Sequence, residues 1–121
     1  KSKERAGVER AVLSATFALD HFKKGVFAKW LTLVAEQDAY LEASMSMASQ
    51  NVKDLYEKKI DAPSVKEVQK MRDIAKAKAN TGHFGVNSMA WFNTITKKIN
   101  ILKQIDDAIF QENLRLLNKI E

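Results

Sequence analysis

Three side chains stand where helical spacing would otherwise place leucine or alanine: Arg10, Gln37 and Arg72. A guanidinium is a planar fork of five N–H donors with a permanent charge, and burying it unpaired is costly. Each arginine must therefore meet an acid, a carbonyl, water or a bound anion. The chemistry on offer is recognition of a small anion. For Arg72 the competing reading is a stem that packs while its head reaches water. Gln37 reads most simply as a satisfied core amide or an exposed edge.

The inventory for catalysis is thin. His21 and His83 each lie near a helix end, where a histidine ordinarily caps or faces water. No Glu is followed three residues later by His, and no HExxH, GxSxG, P-loop or dinucleotide pattern occurs. Asp106 and Asp107 are adjacent and point about 100° apart on a helix, poor geometry for a shared acid–base site. Cysteine is absent, which excludes disulfides, thiolate metal sites, thiol nucleophiles and covalent haem attachment, although Met and His leave non-covalent haem ligation open. The chain reads as a non-enzyme, with no catalytic or metal residues and no cofactor.

The elements that position these residues are helices. Within 121 residues, enough for one modest core, there are one proline and four glycines. Hydrophobic residues make up 45% and charged ones 29%, the balance of a folded globular domain. No run approaches the roughly 20 apolar residues of a membrane span. The net charge of +5 is interleaved with acids throughout, which suits a solvated helical surface and not a nucleic-acid stripe.

Spacing predicts four helices, at about 2–22, 26–59, 64–84 and 87–121. Lys23-Lys24-Gly25 closes the first, with cations at the negative helix end and a glycine for the left-handed cap. Trp30, Val34, Leu41, Met45, Ala48, Val52 and Leu55 form the stripe of the second, Gln37 filling one slot. Asp61-Ala62-Pro63-Ser64 breaks the chain, and Ser64 with Glu67 has the spacing of a capping box. The third helix carries Val65, Val68, Ala75 and Ala79, with Arg72 in the same stripe; Gly85 is its expected cap and Asn87 the next N-cap. Trp91, Ile95, Leu102, Ile105, Ile109, Leu116 and Ile120 mark the fourth. Short turns between long helices make neighbours antiparallel, so the fold class is all-α, an up-down-up-down four-helix bundle in one domain spanning 1–121. The short first helix and the fourth helix running off the end lie at one end of the bundle. That is the geometry expected of a domain set between two membrane helices.

The first helix raises a question. Val8, Val12, Ala15, Leu19 and Phe22 recur at helical spacing and form the expected core stripe. Arg10 falls nearly opposite, in the company of Ala6, Leu13 and Phe17, with Glu9, Thr16 and Asp20 in a narrow polar strip between. A second apolar face suits packing against another subunit. In a two-fold homodimer through the first helix, two Arg10 side chains would meet, and a small planar anion such as nitrate can accept hydrogen bonds from both. Pairing of Arg10 with a neighbouring acid in its own subunit is the plainer alternative.

Some of these residues resemble a known family. Glu4-Arg5-Ala6-Gly7-Val8-Glu9-Arg10-Ala11, followed by Phe17-Ala18 and Phe22, resembles the first-helix signature of nitrate- and nitrite-sensing (NIT-type) domains. Gln37-Asp38-Ala39-Tyr40-Leu41 is similar to their second-helix element. Phe84-Gly85-Val86-Asn87 and Trp91-Phe92-Asn93-Thr94-Ile95-Thr96-Lys97-Lys98-Ile99 are similar to the fourth-helix signature. The resemblance implies an input module of a bacterial transmembrane receptor, such as a chemotaxis receptor, histidine kinase or diguanylate cyclase, usually periplasmic. It implies a helical bundle that binds nitrate or nitrite through arginines. Arg10 carries over as ligand, Arg72 with it, and Trp91 and Thr96 as signature residues. Some members of the family hold two bundles in tandem, whereas this chain has residues for one, so a pocket between bundles would have to lie between subunits.

The expectation is thus an extracytoplasmic anion sensor in a homodimer, tied to a membrane only through flanking helices. The competing readings are a bundle that senses a carboxylate or an amino acid, and a ligand-free dimerisation or protein-interaction module.

Overall fold

The computed structural model describes the backbone of residues 2–120 and the side chains of residues 3–119. It is all-helical, with α1 (Ser2–Leu19), α2 (Val26–Met47), α3 (Gln50–Lys59), α4 (Pro63–Ala77) and α5 (Ser88–Ile120), and no strand among the described residues. α1 packs on α2 and α5, and α5 also carries α3 and α4. The expected end of the last helix at Glu121 and the expected burial of Ile120 lie outside the described residues. Among those described, no helix is long and apolar enough to cross a membrane.

The helix expected over 26–59 is two. Ala48 and Ser49 are extended, and the Ser49 hydroxyl accepts from the Val52 amide at 3.3 Å as the N-cap of α3. Serine favours such local bonds over continued helix, and Ser44, Ser46 and Ser49 crowd this stretch. The capping box at Ser64 does not form. α4 starts one residue earlier, with Ala62 at the N-cap and Pro63 in the first turn, where its fixed φ suits the helix and its missing N–H costs nothing. Asn87 does cap α5, its side-chain oxygen accepting from the Met89 and Ala90 amides at 2.9 and 3.0 Å.

The core runs through Leu13, Phe17, Trp30, Val68, Met71, Ala75, Phe84, Trp91 and Ile95. At one end six aromatic rings interlock. Phe17 meets Phe84 and Trp91 edge-on, and Phe22 meets Phe27, Trp30 and Phe84, with centroids 5.2–5.7 Å apart. Such pairs add roughly 0.5–1.5 kcal/mol each beyond area burial. The face of α1 that enters this core is Ala6, Glu9, Leu13, Thr16 and Phe17. Of the stripe expected to do so, Val12 and Phe22 pack against the core half-buried, whereas Val8 and Leu19 are 41% and 45% exposed and Ala15 is exposed. Phe17 decides the orientation, because only that rotation seats its ring between Phe84 and Trp91.

The aromatic end is closed by a backbone clamp. α1 stops at Asp20, whose φ of 65° is left-handed, three residues before the expected Lys-Lys-Gly stop. The Asp20 carbonyl accepts from the His83 amide at 2.9 Å, and its carboxylate accepts from the Phe84 amide at 2.9 Å. This brings the α4–α5 connection against the end of α1, at Gly82 and not at the expected cap Gly85. A Cβ on Gly82 would lie 2.4 Å from the Asp20 carbonyl oxygen, and its φ is 70°. Gly25, also at positive φ, has open space around it. Gly25→Ala is expected to cost about 1–2 kcal/mol, the left-handed penalty alone. Gly82→Ala must also displace Asp20 and is expected to cost clearly more in urea unfolding.

Candidate functional site

Two consecutive residues of α1 build two adjoining polar constellations. Successive helical side chains diverge by about 100°. Glu9 therefore points into the core while Arg10 lies at its edge toward α5.

Glu9 is fully buried. One carboxylate oxygen accepts from Trp30 Nε1 at 3.0 Å and Arg72 Nε at 2.8 Å. The other accepts from Gln37 Nε2 at 2.8 Å and Arg72 Nη2 at 2.6 Å. Arg72, 5% exposed, is thus a bidentate partner, and its Nη2 also donates to Gln37 Oε1 at 3.1 Å. Gln37 further donates to the Leu33 carbonyl at 3.2 Å. Every lone-pair direction of the carboxylate is met, the condition under which a buried ion pair is tolerated. Burial pushes the Glu9 pKa up and is the largest single effect. The bonds and charge of Arg72, with the bonds from Gln37 and Trp30, outweigh it together and hold the carboxyl below its ordinary 4.5.

Arg10 is half-buried. Its Nη1 donates to the Thr96 hydroxyl at 3.0 Å, and that hydroxyl in turn donates to the Phe92 carbonyl at 2.7 Å. The guanidinium lies 4.7 Å from the Phe92 ring centroid, a cation–π contact worth about 0.5–1 kcal/mol at an exposed site. Trp91, fully buried, donates its indole N–H to the Arg10 carbonyl at 3.1 Å. Among the described residues this leaves the Arg10 fork with one side-chain hydrogen bond. The fork is held in place with donors to spare.

Of the residues singled out by sequence, Arg10, Trp91 and Thr96 come together at the α1–α5 seam. Arg72 sits apart from them, its fork turned to Glu9. Gln37 is a core amide within the same network. Sequence reasoning missed Glu9, placed in a minor polar strip, and Trp30, read only as core. The signal was present in the spacing: Ala6, Glu9, Leu13 and Thr16 stand three, four and three apart, one stripe with the acid inside it. Phe92, Lys98 and Asp38 were also missed as polar-site neighbours. Among the described residues no cluster of His, Asp and Glu is arranged to hold a metal ion.

Glu9→Gln is expected to destabilise the fold by about 3–5 kcal/mol, because Arg72 is left buried without its counter-charge. Joint replacement of Glu9 and Arg72 by Leu and Met should cost less than the two single losses combined. Glu9 has a lower pKa folded than unfolded, so its contribution is complete above pH 4.5 and lost as pH falls below it. Thermal unfolding from pH 7 to 3 should show the gap between wild type and Glu9→Gln closing on the acid side.

No curated protein and no solved structure matches the chain. The family model described as nitrate and nitrite sensing (NIT) matches residues 1–113. That span includes the Glu9–Arg72 network and the Arg10–Trp91–Thr96 seam. The chain belongs to the family of nitrate- and nitrite-sensing domains.

Proposed function

We propose that this chain is the extracytoplasmic sensor of a bacterial transmembrane receptor of the chemotaxis type, and that nitrate or nitrite binds Arg10 at or near the interface of a homodimer. The supporting observation is the Arg10 guanidinium, fixed by Thr96 and Phe92 with N–H donors left over. A planar anion with three equivalent oxygens matches that fork. Thr96 and Trp91 act as positioning residues, one through the side chain of Arg10 and one through its carbonyl. Arg72 contributes by neutralising Glu9 next door, so that no buried carboxylate repels the anion. The reaction class is binding and not catalysis, with no cofactor.

In this reading α2 and α3 form one leg of an antiparallel up-down-up-down bundle. The pairs Arg10–Thr96 and Phe17–Trp91 run in opposite order along α1 and α5, and Glu9–Gln37 and Phe22–Phe27 do so between α2 and the segment formed by α1 and the turn that follows it. The second copy cannot meet Ala6, Leu13 and Phe17, which are buried within the subunit. The side of α1 flanking Arg10 carries Gly7, Ala11 and Ala18, small residues spaced four and seven apart, of which Gly7 is partly buried and the two alanines are exposed. They let a second α1 approach closely enough for two Arg10 forks to share one anion. A bound anion offsets their repulsion and draws the α1 helices together. It shifts the dimer only by its difference in affinity for the two arrangements. α5 carries the displacement onward.

Arg10→Ala is expected to keep the helical circular-dichroism spectrum, lose about 1 kcal/mol of stability and lose the rise in melting temperature that nitrate gives the wild type. Sedimentation of the wild type should show nitrate favouring the dimer. An unchanged nitrate response in Arg10→Ala would remove Arg10 from the site.

A further inference from the structure

A cavity opens beside Arg72, with no residue of α1 on its wall. It measures about 290 Å³ and is lined by residues of α2, α4 and α5 together with Tyr56 of α3 and Ile60 just beyond it. Its polar lining has an unusual balance. Arg72 is neutralised by Glu9, and Lys66, also on the wall, is paired with Asp61 at 3.2 Å. That leaves Lys98 and Asp38, of opposite charge, neither in an ion pair or side-chain hydrogen bond among the described residues. They sense each other electrostatically without closing into a bridge.

Lys98 is the less comfortable of the two. Burial and then the Arg72 charge pull its ammonium down to about 8, against the opposite pull of Glu9 and Asp38. It remains mainly charged near neutrality and lacks a counter-ion in contact. The Tyr56 phenol on the same wall is pushed up by burial and by the Asp38 charge, so it stays a neutral O–H donor. Apart from Gln69, whose amide donates to Asp73 at 2.9 Å, the rest of the lining is apolar, with Leu41, Val65 and Ile101 among it. An inorganic anion would meet Lys98 but leave Asp38 repelling it and the apolar wall uncovered. A plain carboxylic acid would also face Asp38.

We propose that this cavity binds a free α-amino acid with an apolar side chain, its carboxylate on Lys98, its ammonium on Asp38 and its side chain against Leu41, Val65 and Ile101. The volume is at the small end of ligand sites, about 300 Å³ and upward, which suits a single amino acid and not a peptide. The hydroxyl of Tyr56 supplies a further donor to the carboxylate. Because α3 and α4 both contribute to the wall, occupancy fixes α3 against the rest of the fold. This site is independent of Arg10.

The test is calorimetric titration of the 121-residue chain with L-leucine and L-methionine, and in parallel with N-acetyl-L-leucine, which lacks the ammonium, and L-leucinamide, which lacks the carboxylate. The expected result is saturable millimolar or tighter binding of an amino acid, with each derivative at least about tenfold weaker. Asp38→Asn should erase the preference for leucine over its N-acetyl form, and Lys98→Met the preference over the amide. Both positions lie at least partly in solvent, and circular dichroism checks that each variant keeps its helices. Arg10→Ala should bind leucine as the wild type does, so failure of the nitrate reading leaves this outcome untouched. Absence of saturable binding by the wild type, or equal binding of leucine and N-acetyl-leucine, would overturn the proposal.

Discussion

The fold is organised around one buried carboxylate. Glu9 has no water to solvate it, so its four hydrogen bonds must come from protein. Three helices are obliged to converge to supply them: α2 through Trp30 and Gln37, α4 through Arg72, and α1 through Glu9 itself. α2 and α4 are not among the helix pairs in extensive backbone contact, yet the Arg72–Gln37 bond joins them across the interior. Apolar side chains tolerate sliding, because dispersion and area burial change little with register. A bidentate arginine does not, since its two bonds fail together when the geometry shifts. The network therefore fixes the relative rotation of α1, α2 and α4, which leucine packing alone would leave loose.

Rotation of α1 has a direct effect on its neighbour in sequence. With Glu9 directed inward, Arg10 is placed on the α5 side, within reach of Thr96 and Phe92. The core ion pair and the proposed anion site are thus coupled through the backbone between two adjacent residues. A change on one side of this peptide alters the register available to the other. The seam is reinforced from α5 by Trp91, whose ring belongs to the aromatic core while its N–H holds the Arg10 carbonyl. One side chain joins hydrophobic packing to the polar seam.

Much of this was legible in the sequence. Helix content, the all-α class, the start of the second helix at Val26, the Asn87 cap and the buried positions Trp30, Val68, Ala75, Trp91, Ile95, Leu102 and Ile105 follow from period and capping chemistry. The family was legible in the residues around Arg10 and Trp91. The inner face of α1 was not. Its two faces carry comparable apolar content, and the deciding contacts of Phe17 with Phe84 and Trp91 join residues more than sixty positions apart. Glu9 was obscured for a related reason: a lone acid reads as solvent-facing until its cationic partner is located, and Arg72 lies 63 residues away. The break at Ala48–Ser49 was legible in principle, through the run of serines, but the apolar stripe continuing on both sides concealed it. The early stops at Asp20 and Ala77 depend on each other through the clamp at Gly82 and could not be seen from either alone.

The interruption at Ala48 and Ser49 also decides how a mechanical displacement travels. A continuous helix is stiff along its axis because every turn is tied to the next, whereas a two-residue extended joint absorbs torsion and lets its two arms reorient separately. The α2–α3 leg is jointed midway. α5 spans 33 residues, about 50 Å at 1.5 Å per residue, and is the longest unbroken rod among the described residues. Twist or piston motion imposed at its aromatic end emerges at the other end with little loss, while the same motion entering α2 dissipates at the joint. In the sensor proposed above, the output shaft is α5, the helix that carries Thr96, Phe92 and Trp91.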